Sequence, residues 1–451
     1  MTCLRRLGHA AWRSLRAAAC VTTTAGVAAA AQAASAAARP EPGAEFTIGV
    51  ITVGQGDQVW ERFGHNALWV HDAARGTDVA YNWGLFDFAD ADFMLRFLRG
   101  EMRYRMEGED AVRMLEIYRS FDRTITMQRL ALTPAQRRAL VDFLEWNVRP
   151  ENKYYRYDYY LDNCSTRVRD AIDRVLGGAL RAATVGQRTS NTYRSESVRL
   201  MEGMPLTQAG IMAGLGPRTD RPLNGWEEMF VPMRMRDRLR QVRVPGPGGT
   251  MIPLVAEERP IFVAARAPEA TGPPPLGLRY ALVGLLLGAV FAALGWRASA
   301  VDHRAARAGL AVAGGLWGLT IGVLGVVLTL LWVATQHVFA HRNENLFQIN
   351  PLSLGLAVLI PAAVYRPGLR RAARRLAAVV LALSLAGLAL KILPAFHQRN
   401  LPIVALLLPA QAALAWALVG LGAAEGARAA AAGSRVEVGS RDAVARRASA
   451  P

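Results

Sequence analysis

The sequence predicts an α+β soluble domain followed by an all-α bundle of transmembrane helices. The chain of 451 residues is long enough for two domains. From Phe46 to Met235, strand-like runs and helical patterns occur together, and polar and apolar residues are mixed. Beyond Leu276 the pattern changes to long apolar runs that are nearly free of charge. The predicted parts are a soluble domain over residues 45–240, a connector over 241–276 and a transmembrane domain over 277–424.

The N-terminal segment, residues 1–37, has the composition of a signal peptide. A basic stretch, MTCLRRLGHAAWRSLR, precedes an Ala-rich, weakly apolar stretch that ends in small residues suited to a signal peptidase. Two of the three cysteines, Cys3 and Cys20, lie in this segment. If the segment is removed, Cys164 is the only cysteine that remains, and a disulfide within the chain is excluded.

The soluble domain begins with predicted strands and continues with predicted helices. FTIGVITVG, ALWVHD and DVAYNW are typical of strands, with a turn at Gly76 between the second and the third. DADFMLRFLRG, EDAVRMLEIYRSF and TPAQRRALVDFLEWNV are typical of helices, and the last begins with a capping box formed by Thr133 and Gln136. A further helix begins at the sequence DNC, with Asp162 or Asn163 as its N-cap. The pattern predicts few strands and several helices.

Residues 241–276 are predicted to form a connector that contains no helix. The stretches VPGPGGTMIP and APEATGPPPLG are rich in proline and glycine. Proline lacks a backbone donor and glycine has a large conformational entropy, so neither supports a helix interior.

The transmembrane domain is expected to contain five helices. Each apolar run is close to the ~20 residues that cross a bilayer, and the third run is the shortest. Buried helices of a soluble core are the alternative, but five successive runs that are nearly free of charge disfavour it. The runs are Leu278–Trp296, Leu310–Thr335, Ile349–Tyr365, Leu376–Leu393 and Ile403–Ala423.

Arginines predict how these helices are oriented in the membrane. They are frequent after the first run, after the third run and in the tail, whereas the other two loops contain only Arg342 and Arg399. Positively charged residues mark the cytoplasmic side. We therefore expect the soluble domain outside the cytoplasm and a disordered cytoplasmic tail over residues 425–451.

The formal net charge of the chain is +17, and Lys153 and Lys391 are the only lysines. A nucleic-acid-binding surface is one explanation. We favour membrane topology as the cause, because the arginines cluster beside apolar segments, and we expect no nucleic-acid partner. In the soluble domain, one cysteine and two histidines without carboxylates at a ligand spacing do not form a zinc-binding pattern, so neither a metal nor another cofactor is predicted.

Cys164 is the candidate nucleophile. In the first turn of a helix, free N–H groups and the helix dipole favour an anion, so we expect a lowered thiol pKa. A base is still needed, and His65 and His71 share one strand face about 20 Å apart, so only one can reach the thiol. His65 follows Gly64 at the strand start and is the candidate, and Asn82 on the next strand would orient its imidazole. A buried, unreactive thiol is the competing interpretation.

Several motifs together resemble one family. The order GQGDQVWERFGHNALWV, YNWGLFDF, YYLDNCSTRVRD and TYR, from Thr47 to Pro232, resembles the periplasmic domain of the Lnb family of bacterial lipoprotein N-acyltransferases. HVFAHRNENLFQINPL resembles the extracytoplasmic loop of that family. The order of histidine before cysteine also resembles permuted papain-like proteins, so the resemblance implies a permuted papain-like periplasmic domain. It also implies a multi-pass protein of the bacterial inner membrane with the catalytic domain in the periplasm.

The resemblance implies an acyltransferase reaction without a cofactor. Cys164, with His65 as base, would attack an ester of a membrane phospholipid and form a thioester. The amino group of the N-terminal cysteine of a lipoprotein would then take the acyl chain. The amide of Cys164 or Ser165 would stabilise the oxyanion. The partners would therefore be membrane phospholipids as donors and lipoproteins as acceptors.

Five further residues are predicted to contact the substrate. Ser165 and Asp162 flank the cysteine, although both could serve only to stabilise the helix. Arg194, in the TYR motif, could bind a phosphate head group, which suits a guanidinium group. His337 and Asn343 lie in the extracytoplasmic loop and could line a substrate entrance, with interfacial anchoring as the alternative.

Two other functions remain open from the sequence. One is a papain-like Cys peptidase or amidase that acts on cell-wall peptides, and the other is a non-catalytic membrane module whose cysteine only packs. The transmembrane half favours the lipid-handling enzyme over the peptidase, because a wall hydrolase needs no more than one anchor.

Overall fold

The computed structural model describes residues 41–246, 249–300 and 303–421. The predicted signal peptide (1–37) and the predicted cytoplasmic tail (425–451) lie outside these residues. Within them, a sheet-rich α+β domain is followed by a helical C-terminal region, as the sequence predicted.

The soluble domain is built on a seven-stranded antiparallel sheet with the order β6-β4-β3-β2-β1-β5-β9, and a two-stranded sheet pairs β7 with β8. The strands are β1 (Phe46–Val53), β2 (His65–Asp72), β3 (Thr77–Leu85), β4 (Arg103–Asp110), β5 (Ile125–Leu130), β6 (Tyr154–Arg156), β7 (Arg243–Pro245), β8 (Met251–Pro253) and β9 (Val255–Phe262).

Helices alternate with strands along the soluble domain, and helices alone form the regular structure of the described C-terminal region. In the soluble domain they are α1 (Phe93–Arg99), α2 (Ala111–Ser120), α3 (Pro134–Asn147), α4 (Cys164–Val175), α5 (Ala179–Val185), α6 (Tyr193–Leu200), α7 (Pro205–Gly214), α8 (Gly225–Glu228) and α9 (Pro232–Leu239). In the C-terminal region they are α10 (Leu276–Ser299), α11 (Arg304–Val333), α12 (Ser353–Tyr365), α13 (Arg370–Ala389) and α14 (Leu401–Leu421).

The elements with clear local signals agree with the sequence analysis. The three predicted strands correspond to β1, β2 and β3, and the turn between the last two contains Gly76 with φ +63°. The α3 helix begins with the predicted capping box, in which the Thr133 hydroxyl accepts from the amide of Gln136. These features depend on neighbouring residues alone, which is why a sequence pattern can predict them.

The sheet is larger than the sequence suggested. β4, β5 and β6 were not predicted, and β9 lies inside the stretch assigned to the connector. β9 pairs with β5 at one edge of the sheet, so the folded soluble domain continues to Phe262. Its sequence, VAEERPIF, does not show a typical strand pattern, because it contains Pro260 and several charged side chains. An edge strand tolerates these residues, whereas a central strand would not.

Both faces of the sheet are covered. On β1, Ile48 and Val50 point into a core formed with α3, α4 and α9, and Ile51 and Val53 point into a second core formed with α2. This two-sided burial explains why FTIGVITVG is nearly continuously apolar. It also fixes the N-terminus of α4 beside the start of β2, where His65 lies.

The C-terminal region contains the five predicted apolar helices, of which four are long and apolar enough to cross a membrane. The exception is α12, which has 13 residues and contains Pro361. At 1.5 Å per residue it spans only about 20 Å, less than the ~30 Å of a bilayer core. It packs closely on α11, where a Cβ at Gly318 would lie 2.5 Å from the amide nitrogen of Ala357. We therefore describe this region as four span candidates and one shorter apolar helix.

The soluble domain contacts one end of the helical region. The Gln336 amide, just beyond α11, donates to the Arg99 carbonyl (2.7 Å), and the Arg399 amide, just before α14, donates to Asp220 Oδ2 (3.0 Å). The arginine-rich loops after α10 and α12 lie at the other ends of the same helices. The soluble domain therefore sits on the end that carries few arginines, in agreement with the predicted topology.

Candidate active site

The cysteine lies at the start of α4 because of a strong local cap. The side chain of Asn163 accepts hydrogen bonds from the amides of Ser165 and Thr166, both at 2.9 Å. In return, the Thr166 hydroxyl accepts from the Asn163 amide (2.8 Å). Asn163, rather than Asp162, is therefore the N-cap. Cys164 becomes the first helical residue, where the helix dipole favours a thiolate.

The histidine is held by the next strand of the sheet. His65 is the first residue of β2, directly after Gly64, whose φ is +81°. His65 Nε2 lies 2.8 Å from Asn82 Oδ1, and the amide nitrogen of Asn82 donates to Glu109 Oε1 (2.7 Å). Because the amide nitrogen of Asn82 is committed to Glu109, its oxygen must face the imidazole. His65 Nε2 therefore carries the proton, and Nδ1 is left to face the thiol of Cys164.

The Cys164 thiol and the His65 imidazole form a hydrogen-bonded pair. Burial opposes ionisation of the thiol, but the charge and the hydrogen bond of His65 and the amides of Asn66 and Ser165 outweigh it, so the pKa of Cys164 is lowered. Burial likewise disfavours the imidazolium, but the thiolate and the hydrogen bonds to Cys164 and Asn82 outweigh it, so the pKa of His65 is raised. Opposite shifts of this kind favour a thiolate–imidazolium pair.

A cleft of about 500 Å³ opens above this pair, and most of its wall is apolar. Cys164 is a free thiol, and it is partly exposed to the cleft. The lining residues are Val59, Trp60, Glu61, Phe63, Gly64, His65, Gly84, Leu85, Phe86, Phe97, Met102, Tyr104, Tyr118, Arg123, Tyr157, Tyr159, Asn163, Cys164 and Pro232.

Four polar residues of the site were missed by the sequence analysis. Glu109 fixes Asn82, as described above. The Arg123 side chain is only 4% exposed, donates to the Gly54 carbonyl (3.0 Å) and lies 3.8 Å from Glu61. The Arg123 guanidinium lies over the Tyr118 ring (4.9 Å), which in turn lies 6.1 Å from the His65 ring. Burial lowers the pKa of Arg123. These residues come from different elements and share no local motif, so only the fold brings them together.

One rim of the cleft is exposed, apolar and close to the membrane-side loop. Trp60, Phe88 and Leu98 are 56%, 60% and 61% exposed, and Met94 on α1 is 58% exposed. The Phe97 carbonyl lies 2.9 Å from His337 Nε2. Gln336, the residue before His337, lies three residues beyond the end of α11. The apolar side chains of α1 therefore lie beside the outer end of a span candidate, where lipid would surround them.

Ser165 and Asp162 have structural roles and do not line the cleft. The Ser165 hydroxyl is fully buried, donates to the Met229 carbonyl (2.6 Å) and accepts from Asn66 Nδ2 (3.0 Å). Asp162 forms an ion pair with Arg167 on the other side of the α4 start. The predicted substrate contacts of both residues are corrected accordingly.

The prediction that Arg194 binds a head group is also corrected. Its side chain is 4% exposed, and its nitrogens donate to both oxygens of Asp220 (2.7 and 3.0 Å) and to nearby carbonyls of the α7 end. No donor of this guanidinium is left for a phosphate. A short TYR motif could not reveal this, because Asp220 lies 26 residues further along the chain.

The two predicted loop residues differ from each other. Asn343 is buried and donates to the carbonyls of Ala213 (2.7 Å) and Gly214 (2.9 Å), so it fastens the loop to α7 instead of facing a substrate. His337 is partly exposed and lines a second cavity beside the cleft. Its ring stacks on that of Tyr159, with 6.4 Å between the centroids.

Within the described ranges, no group of three or more His, Cys, Asp or Glu side chains is arranged to hold a metal ion.

The two parts of the chain match two family models. Residues 43–198 match the Lnb N-terminal periplasmic domain, and residues 280–419 match the Lnb transmembrane domain. Neither the curated proteins nor the solved structures that were compared include a match. With both of its domains matched in the expected order, the chain belongs to the Lnb family, as a bacterial membrane protein with a periplasmic portion.

Proposed function

We propose that this protein moves an acyl chain from a membrane phospholipid, through a thioester on Cys164, to the N-terminal cysteine amine of a lipoprotein. Membership of the Lnb family indicates a lipoprotein-processing membrane protein. The observation that carries the proposal is the Cys164–His65–Asn82 chain of contacts at the base of a largely apolar cleft. We place the reaction at the periplasmic surface of the bacterial inner membrane.

In the first half-reaction, the Cys164 thiolate attacks an ester carbonyl of the donor lipid. The new C–S bond forms as the carbonyl π bond opens, and the ester C–O bond then breaks. The His65 imidazolium gives its proton to the departing lysophospholipid oxygen, so the charge balances. Asn82 keeps Nδ1 of His65 aimed at the sulfur throughout.

The amide of Cys164 is the best candidate for the oxyanion donor. As the first helical residue it has no helical acceptor, and within the described residues its N–H makes no hydrogen bond. The Ser165 amide, the other donor predicted from the sequence, already donates to Asn163 Oδ1 and toward the thiol of Cys164, so less of it is free for an oxyanion. Gly84 lies directly beside Cys164, since a Cβ at this position would be in van der Waals contact with Cys164 Cβ at 3.4 Å.

In the second half-reaction, the neutral amine of the lipoprotein attacks the thioester. The C–N bond forms, the C–S bond breaks, and His65 accepts the amine proton, which restores the thiolate–imidazolium pair. A thioester is readily aminolysed, and the amide product is more stable than the ester, so no nucleotide is needed. The membrane anchor holds the site near two lipid-embedded substrates, which raises their effective concentration.

The cleft suits a lipid donor better than a peptide. Aromatic and aliphatic side chains form most of its wall, and the exposed apolar residues of α1 continue this surface toward the membrane-side loop. An acyl chain can follow this path from the bilayer to the sulfur while staying in contact with apolar atoms. Burying each methylene contributes about 0.8 kcal/mol, which would bind a long chain without charged contacts.

Mass spectrometry of a lipoprotein N-terminal peptide tests the proposal. In a strain whose N-acylation depends on this protein, we expect N-acyl peptides with the wild type and with His71→Ala, and none with Cys164→Ser or His65→Ala. His71 is the matched control, since it lies on the same strand but contacts Asp78, away from the thiol. Full N-acylation with both Cys164→Ser and His65→Ala would exclude the mechanism. Release of wall peptides by the purified protein would favour the peptidase alternative.

A further inference from the structure

We infer that a second cavity beside the catalytic cleft binds the phosphate group of the donor lipid, through Arg156 and Arg218. The cavity has a volume of about 360 Å³. This inference rests on the proposed function for its biological meaning, but the site itself is defined by its own residues. It replaces the buried Arg194 as the place where a head group would be held.

The charge of this cavity suits a phosphate diester. Arg156 donates one bond to the Gly100 carbonyl (3.2 Å), and the Arg218 guanidinium lies over the Phe339 ring (5.0 Å). In the described part of the chain, neither guanidinium pairs with a carboxylate. Most of their donors therefore remain available, and guanidinium groups bind phosphate oxygens in a planar, bidentate manner.

One carboxylate, Asp158, also lies in the wall. Its Oδ1 accepts from the amides of Tyr160 (2.8 Å) and Leu161 (2.9 Å), so it is turned toward the loop that carries it. Two arginines against one carboxylate leave a net positive charge. His337 adds a ring nitrogen to the wall, while its Nε2 is occupied by the Phe97 carbonyl.

The second cavity lies between the catalytic cleft, which contains the thiol, and the membrane-side loop. It shares Met102, Tyr157 and Tyr159 with the catalytic cleft, so the two spaces are neighbours separated by a few side chains. Gln336 and His337, at the other side, follow the outer end of α11. Phospholipid phosphates lie at this level of a bilayer.

Together the two cavities match the two ends of one glycerophospholipid, the acyl chain and the phosphate head group. The cleft offers an apolar path that ends at a nucleophile, and the neighbouring cavity offers cations at the polar end. A phosphate held by Arg156 and Arg218 would fix the glycerol backbone at the rim and bring an ester toward Cys164. This arrangement selects phosphate-containing lipids over uncharged diacylglycerols as donors.

Lipid retention by the full-length Cys164→Ala protein tests the site without requiring acyl transfer. Native mass spectrometry would compare phosphatidylethanolamine with a diacylglycerol that carries the same acyl chains. We expect Arg156→Ala and Arg218→Ala each to weaken phosphatidylethanolamine retention about tenfold and to leave diacylglycerol retention unchanged. The matched control is Arg75→Ala, an exposed arginine in the turn between β2 and β3 at the sheet end away from the cleft, and it should behave as wild type.

Two results would overturn the inference. Loss of both lipids to the same extent would mean that the arginines only support the fold. Retention of both lipids by a protein that carries Arg156→Ala and Arg218→Ala together would mean that the arginines bind neither lipid. Soluble glycerol 3-phosphate provides a third arm: if it binds as tightly as the phospholipid, the site serves small phosphates instead of lipids. Because Cys164→Ala cannot form a thioester, these results are independent of the acyl-transfer test above.

Discussion

The Nε2 atom of His65 lies 2.8 Å from Oδ1 of Asn82, and this contact decides which ring nitrogen serves the thiol. The neighbouring hydrogen bond from Asn82 Nδ2 to Glu109 prevents the amide from turning round. Register explains the contact: Asn82 on β3 pairs with Ala67 on β2, two residues beyond His65. The sheet therefore sets the tautomer of the candidate base.

Replacing Asn82 tests this arrangement. We expect Asn82→Ala to slow thioester formation on Cys164 by about 100-fold, because the imidazole loses its orientation and its preferred tautomer. Asn82→Asp keeps an acceptor for Nε2 and should recover much of the rate. The measurement is single-turnover acylation followed by intact-protein mass spectrometry over a range of pH. An Asn82→Ala protein with the wild-type rate and pH profile would show that the contact is only structural.

The ionisation of Cys164 gives a second prediction. Its pKa is lowered chiefly because His65 outweighs burial, so the thiol should be alkylated at pH values below its ordinary pKa of about 8.5. Without the imidazole, burial remains and raises the pKa, so His65→Ala should shift the alkylation midpoint upward. The experiment uses iodoacetamide on a Cys3→Ser and Cys20→Ser background, in which Cys164 is the remaining thiol. An unchanged alkylation midpoint in His65→Ala would show that His65 does not influence the ionisation of Cys164.

Gly84 gives a third prediction, with Gly76 as its matched control. Both have positive φ angles, +91° and +63°, so an alanine at either position should cost about 1–2 kcal/mol of stability. Only the Cβ at Gly84 would contact Cys164, whereas nothing lies within 4 Å of a Cβ at Gly76. Gly84→Ala should therefore lower both melting temperature and acylation rate, and Gly76→Ala the melting temperature alone. Equal rates in the two variants would argue against close packing at the thiol.

Arg194 separates a structural role from a binding role. Its ion pair with Asp220 is buried, with side chains 4% and 1% exposed, so removing one partner leaves an uncompensated charge. We expect Arg194→Ala to reduce the free energy of unfolding by about 3–5 kcal/mol, measured by denaturant titration in detergent. A variant of normal stability whose KM for donor lipid rises would instead restore the head-group role that the sequence suggested.

The apolar surface of α1 gives a fifth prediction. Leu98→Asp should reduce acyl transfer from bilayer phospholipids about tenfold or more, because a charge at this rim disfavours contact with lipid chains. Transfer from a short-chain, water-soluble ester should remain near the wild-type rate. Val112→Asp is the matched control, since Val112 is 57% exposed and lies beyond the far end of β4. If the soluble ester is affected as strongly as the lipid, the substitution has damaged the cleft itself.

The parts of the site that follow local rules were predictable. Short stretches of sequence predict three of these features: the helix start with Asn before Cys, the strand start with a Gly-flanked His, and the apolar runs of membrane length. The structure brings Cys164, His65 and Asn82 together as the sequence predicted. β9 was not predicted, because its charged sequence has no local strand pattern and forms a strand only through pairing with the distant β5.

The sequence by itself determined the two-domain organisation, the helix that begins at Cys164 and the candidate pair of histidine and cysteine. Capping, periodicity and hydrophobic length operate between near neighbours, and the sequence carries them directly. Only the tertiary structure decided that Glu109 locks Asn82, that Arg123 faces the cleft, and that Arg156 and Arg218 share a cavity. Those contacts join residues that are far apart in the chain, and their geometry is set by strand register and domain packing.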